Sequence, residues 1–113
     1  MLEKLKVTLF YLETPDIKIS IEIYFNEKNQ LFFDGYDIGK TVEEVWGDSD
    51  YEYTYTIEPD EVIKFYQIFN LRIGDKSGLL EAIKERFSVN EAYTLFGEFM
   101  EANHIKYESF TWT

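Results

Sequence analysis

Ile17-Lys18-Ile19-Ser20-Ile21-Glu22-Ile23-Tyr24-Phe25 is the stretch that decides the fold. Ile17, Ile19, Ile21, Ile23 and Phe25 recur at every second position, with Lys18, Ser20 and Glu22 between them. Side chains of an extended chain alternate between two faces, so one row meets a core and the other meets water. Residues 4–12 also alternate, with Leu5, Val7, Leu9 and Tyr11 expected on one face. Thr14-Pro15-Asp16 between the two runs is a turn signal, and the pair reads as a hairpin with one buried face.

Downstream, Asn26-Glu27-Lys28-Asn29 predicts a second turn leading into a short strand at Gln30–Asp34. Gly35, Gly39 and Gly47 are expected to mark bends, and Thr41–Trp46 reads either as one helical turn or as an irregular loop. Asp50–Ile57 alternates again, with Tyr51, Tyr53, Tyr55 and Ile57 on one face and Glu52, Thr54 and Thr56 on the other. After that the period changes. Pro59 suits the first position of a helix, Asp60 and Glu61 complement its N-terminal dipole, and Val62, Phe65, Tyr66 and Phe69 follow at helical spacing. A loop around Gly74-Asp75 precedes a second helix with Leu79, Leu80, Ile83 and Phe87 inward. Ser88-Val89-Asn90-Glu91 has the pattern of a capping box, opening a third helix that buries Ala92, Phe96, Phe99 and Met100. Ile105–Thr113 reads as a last strand. Strands followed by a run of helices indicate an α+β fold: an antiparallel sheet of about five strands, in the order β-β-β-β-α-α-α-β, with three helices on one face. Residues 1–113 are expected to form a single domain.

The composition is consistent with this. Of 113 residues, ten are Phe, nine Tyr and two Trp, so the core should be aromatic. The absence of Cys excludes disulfides, thiolate metal sites and a Cys nucleophile. No apolar run followed by a small-residue cleavage site opens the chain, and none approaches the ~20 residues of a membrane span. A cytoplasmic protein that does not bind membranes is expected.

The formal net charge of −11 is unevenly spread. Between Asp34 and Glu61 there are ten acids and one base, Lys40, whereas the rest of the chain carries twelve acids and ten bases. Such a field repels nucleic acid and attracts cationic partners. Much of it is also what a solvated surface needs to stay soluble.

Each candidate for catalysis fails on spacing or context. Gly35-Tyr-Asp-Ile-Gly39-Lys40-Thr41 follows a strand as a phosphate-binding loop would. It is one residue short of the Gly-x-x-x-x-Gly-Lys pattern, and Asp34 and Asp37 would repel phosphate. Asp48-Ser49-Asp50, with Glu43 and Glu44 nearby, offers oxygen ligands but lacks the EF-hand spacing and its central Gly. His104 is the only His, which precludes a multi-His metal centre, and no Ser sits in a nucleophile elbow. A single His after a helix instead suits the helix C-terminus. No catalytic residue, metal ligand or cofactor is assigned. The aromatic–acidic run is the candidate partner-binding surface: Trp46, Asp48, Asp50, Tyr51, Glu52 and Tyr53. Within it, Ile57 shares the stripe of Tyr53 and Tyr55, so those two rings are expected beneath the helices, with Glu52, Asp48 and Asp50 outward.

The stretch Gly35-Tyr-Asp-Ile-Gly39, followed by Val42-Glu-Glu-Val-Trp46-Gly-Asp-Ser-Asp-Tyr-Glu-Tyr53, resembles a pattern found in small uncharacterised bacterial proteins, as does the ending Ser109-Phe-Thr-Trp112. That resemblance implies the element order given above and transfers no catalytic residue. More broadly, a small acidic, Cys-free α+β chain is similar in type to the immunity proteins that neutralise bacterial toxins. The expectation is a non-catalytic acidic binding protein, an immunity-type inhibitor of a basic toxin. The alternatives are a small enzyme or ligand-binding domain with a cleft between sheet and helices, and a homo-oligomer that hides the Tyr stripe.

Overall fold

Antiparallel pairing of each strand with the next lays the sheet out in chain order. The computed structural model describes residues 5–39 and 50–112. Trp46, Asp48 and the Thr41–Trp46 segment lie outside these residues. The strands are β1 (Lys6–Glu13), β2 (Ile17–Phe25), β3 (Leu31–Gly39), β4 (Asp50–Ile57) and β5 (Glu108–Trp112). They are ordered β1-β2-β3-β4-β5, with β1 and β5 at the edges. The described helices α1 (Pro59–Ile68), α2 (Lys76–Phe87) and α3 (Ala92–Ala102) all fall between β4 and β5. This connection crosses one face of the sheet, where α2 packs on β1 and β2, and returns to place β5 beside β4. The α+β fold expected from the sequence is therefore the observed one.

β2 behaves as its alternation requires: Ile19, Ile21 and Ile23 are buried. β1 departs from its expected pattern. Thr8 pairs with Glu22 but Phe10 with Ile21, so Leu9 is an extra residue, a β-bulge. The slip turns Phe10 inward and sends Tyr11, paired with Ser20, to the opposite face. The grouping of Tyr11 with Leu5, Val7 and Leu9 is thereby corrected. β3 is longer than the predicted Gln30–Asp34, because Gly35 continues the strand, paired with Ile21 on one side and Tyr53 on the other. An extended strand leaves no loop at Gly35–Gly39 to cradle a phosphate.

Helix ends follow local chemistry. Pro59 occupies the first turn of α1, with Asp60 and Glu61 in it. At the C-terminus of α1, Asn70 adopts φ 58°, and the Leu71 and Asn70 amides donate to the Tyr66 and Gln67 carbonyls. α3 ends in the same way: His104 has φ 57°, with Ile105 donating to Met100 and His104 to Glu101. Both ends are Schellman motifs, and His104 is a terminator by its backbone. The capping-box reading of Ser88–Glu91 does not hold. The Ser88 hydroxyl donates back to the Lys84 carbonyl at the end of α2, and α3 begins at Ala92 with no side-chain cap.

The core lies between the inner sheet face and the helices and includes no polar or charged residue among those described. Its centre is aromatic. Phe96 of α3 stacks on Phe33 of β3 at 5.0 Å and on Phe65 of α1 at 5.5 Å, and meets the edge of Phe87 at 5.2 Å. Offset and edge-on rings of this kind add about 0.5–1.5 kcal/mol per pair beyond the burial of their area.

Candidate functional site

Alternation gives β4 two fates. Its inward residues Tyr53, Tyr55 and Ile57 are buried, while Glu52, Thr54 and Thr56 point to the other face, which no described helix covers. Register then assembles that outer face. Tyr11, Ser20, Tyr36, Glu52 and Trp112 form one row across five strands, and Thr8, Glu22, Asp34, Thr54 and Phe110 form the next.

The two sides of this face differ in how their charges are used. Towards β1, Lys6 pairs with Glu22 at 2.9 Å and lies 5.3 Å from the Tyr24 ring, which itself stacks on Phe32 at 5.4 Å. Asp34 accepts from the Tyr24 hydroxyl (3.1 Å) and from Thr54 (2.9 Å). Burial pushes the Tyr24 phenol up to about 12, reinforced by the charge of Asp34. Towards β5 the groups are open. Phe110 and Trp112 are 56% and 61% exposed, and Glu52 has no hydrogen-bond or ion-pair partner among the described residues. Between the two sides lies a hollow of about 230 Å³ lined by Ser20, Glu22, Asp34, Tyr36 and Glu52, with Gly35 contributing backbone. Three carboxylates and two hydroxyls on such a surface accept hydrogen bonds from an ammonium or guanidinium group.

The residues singled out from sequence separate. Glu52 belongs to the outer face. Tyr51 points to the inner side, is 37% exposed, and lies 5.5 Å from Tyr53. Tyr51 and Glu52 therefore cannot contact one flat surface together. Tyr53 is 6% exposed and serves packing. Its ring covers Gly35 so closely that a Cβ there would lie 1.7 Å from Cε2, and its hydroxyl donates to Asp37 Oδ1 at 2.8 Å. Burial, then the Asp37 bond, push its pKa far above the tyrosine range. Gly35, Asp37 and Tyr53 thus form one unit, which gives the Gly-x-Asp motif a structural reason. The backbone of Asp50 pairs with Ile38; its side chain lies outside the described residues, as do Trp46 and Asp48.

Phe110, Trp112, Tyr36 and Asp34 were not among the partner-binding candidates, although a signal was present. Phe110 and Trp112 alternate with Ser109 and Thr111, just as Ser20 and Glu22 alternate with isoleucines in β2. What the sequence could not supply was the pairing that puts Trp112 opposite Glu52 and Phe110 opposite Thr54.

A second concavity, of about 420 Å³, opens on the helix side between α3 and β4–β5. Tyr55, Tyr93 and Tyr107 line it, with Gly97, Glu98 and Glu101 of α3. Burial raises the phenol pKa of Tyr55, helped by Tyr93, and that of Tyr107, helped by a hydrogen bond to Glu101. Glu61 ties α1 to the segment before β5, accepting from the Lys106 amide (2.7 Å) and from Lys64 Nζ (2.9 Å). These bonds hold the Glu61 carboxyl below its ordinary pKa. Among the described residues, no group of three His, Cys, Asp or Glu side chains could hold a metal ion, and no helix is long and apolar enough to cross a membrane. Compared with known protein families, curated proteins and solved structures, the chain matches none.

Proposed function

We propose that this chain is a non-catalytic acidic binding protein whose outer sheet face receives a basic protein, in the manner of an immunity protein held on a basic toxin. One observation carries the reading. The half of that face towards β5 sets the exposed rings of Phe110 and Trp112 beside Glu52, which has no partner among the described residues, and the carboxylate-lined hollow. Exposed aromatic rings supply the buried anchors of protein interfaces. The carboxylates, within a segment strongly negative overall, steer a cationic partner into encounter. A Lys or Arg of the partner would enter the hollow while Trp112 and Phe110 cover apolar surface beside it.

The test uses the native chain and its Glu52→Lys and Trp112→Ala variants as immobilised baits in low salt. The expected result is a basic protein that the native chain retains, that salt releases, and that both variants retain weakly. Co-expression of the native chain should then relieve any toxicity of that protein. Equal retention by native chain and variants, or a partner without excess positive charge, would contradict the proposal.

A further inference from the structure

We infer that the groove between α3 and β4–β5 is a second site, built for an arginine guanidinium presented on a peptide or protein. It lies on the helix side of the sheet, so it is distinct from the outer face and can be tested apart from it.

The groove has built walls. Gly97 of α3 lies against Tyr55, and a Cβ there would sit 2.2 Å from the phenol oxygen. The missing side chain admits the Tyr55 ring, whose hydroxyl donates to the Tyr93 carbonyl at 3.1 Å. Tyr93 stacks on Tyr55 at 4.2 Å with 8° between the planes, and Tyr107 stands 4.9 Å from Tyr55 at 78°. The rings of Tyr55 on β4 and Tyr93 on α3 therefore form a packed corner, which Tyr107, in the segment just before β5, completes. Glu98 and Glu101, three residues apart on α3 and both exposed, lie on one side of the helix and line the same groove. Among the described residues, no Lys or Arg lines it.

Aromatic faces beside carboxylates select a cation, and the combination selects which one. A quaternary ammonium uses the rings but has no N–H for Glu98 and Glu101. A lysine ammonium has donors but is compact and strongly hydrated. A guanidinium is planar, weakly hydrated and carries five donors, so it can stack on a ring and hydrogen-bond a carboxylate at once. The ring contact alone occurs within this chain, where the Arg86 guanidinium lies 4.8 Å from the Phe99 ring and 5.8 Å from that of Phe87.

The experiment titrates the folded protein, at fixed ionic strength, with N-acetyl-arginine methylamide, its lysine counterpart and tetramethylammonium, following the tyrosine ring signals by NMR. Saturable shifts of Tyr93 and Tyr107 are expected with the arginine probe, at several-fold lower concentration than with either other cation. The Glu98→Gln/Glu101→Gln double variant replaces exposed side chains and should keep the fold but lose this preference, whereas Trp112→Ala should leave it unchanged. Shifts that do not saturate, that are equal for all three cations, or that persist undiminished in the double variant would overturn the assignment.

Discussion

The two faces of the sheet are built from the same five strands, yet one is packed beneath helices, apart from the groove beside α3, and the other is left open. On the inner face, tyrosines are locked: Tyr53 over Gly35 and onto Asp37, Tyr55 over Gly97 and onto the Tyr93 backbone. On the outer face, the rings of Phe110 and Trp112 are more than half exposed and Glu52 has no partner among the described residues. The difference shows that aromatic content alone says nothing of purpose. A ring whose hydroxyl and both faces are engaged contributes stability. A ring left open beside a carboxylate such as Glu52 is available for contact.

The sharpest way to break this comparison is to truncate a ring on each face. Phe96→Ala removes the hub touching Phe33, Phe65 and Phe87, and is expected to lower the unfolding free energy by about 3–5 kcal/mol. Trp112→Ala should change it by no more than about 0.5 kcal/mol. Urea unfolding of the two variants measures both. Comparable losses would mean that Trp112 belongs to the core.

Next in size is Gly35→Ala. The new methyl would collide with the Tyr53 ring, and a loss of about 3 kcal/mol is expected. In a Tyr53→Leu background the same change should be much milder, because the collision partner is gone. Gly97→Ala should cost less, about 1 kcal/mol, since the better helix propensity of Ala offsets part of the contact with the Tyr55 hydroxyl. Tyr55→Phe should reduce that loss further.

The smallest effects are those of pH. The Tyr24 phenol, raised to about 12, is held protonated more tightly in the folded chain than in the unfolded chain. Its contribution is fully present below the ordinary tyrosine value near 10 and is lost as pH rises through about 12. Denaturation midpoints should therefore fall across that window, with phenolate absorbance lagging behind that of the unfolded chain. Tyr24→Phe should make the fall shallower. Glu61 has the opposite sign. Its pKa is lowered by the Lys106 amide and by Lys64, so its contribution is present above its ordinary value and fades as pH drops through the folded one. Glu61→Gln should remove that part of the acid dependence.

Much of this is legible in the sequence, because period reports burial directly. The isoleucines of β2, the spacing from Val62 to Phe69 and the burial of Tyr53 and Tyr55 beneath helices all follow from alternation or helical repeat. Three things escaped for physical reasons. The bulge at Leu9 inverts every later side chain of β1, and a one-residue slip leaves no mark on composition. Gly35 reads as a bend, although its purpose is to make room for a ring 18 residues away in the chain. Ser88 matches a helix start yet serves the preceding helix end, because its hydroxyl found a carbonyl behind it first. The candidate surface was only half legible. Glu52 was found through local charge, whereas its neighbour Trp112 depends on β5 returning to β4 after three helices.

The claim that the outer face, on its β5 side, is the docking surface is tested most directly by association kinetics with the basic partner across a range of salt concentrations. The account predicts that Glu52→Lys slows association and flattens its salt dependence, while Trp112→Ala mainly speeds dissociation. Association and dissociation rates unchanged in both variants would contradict it.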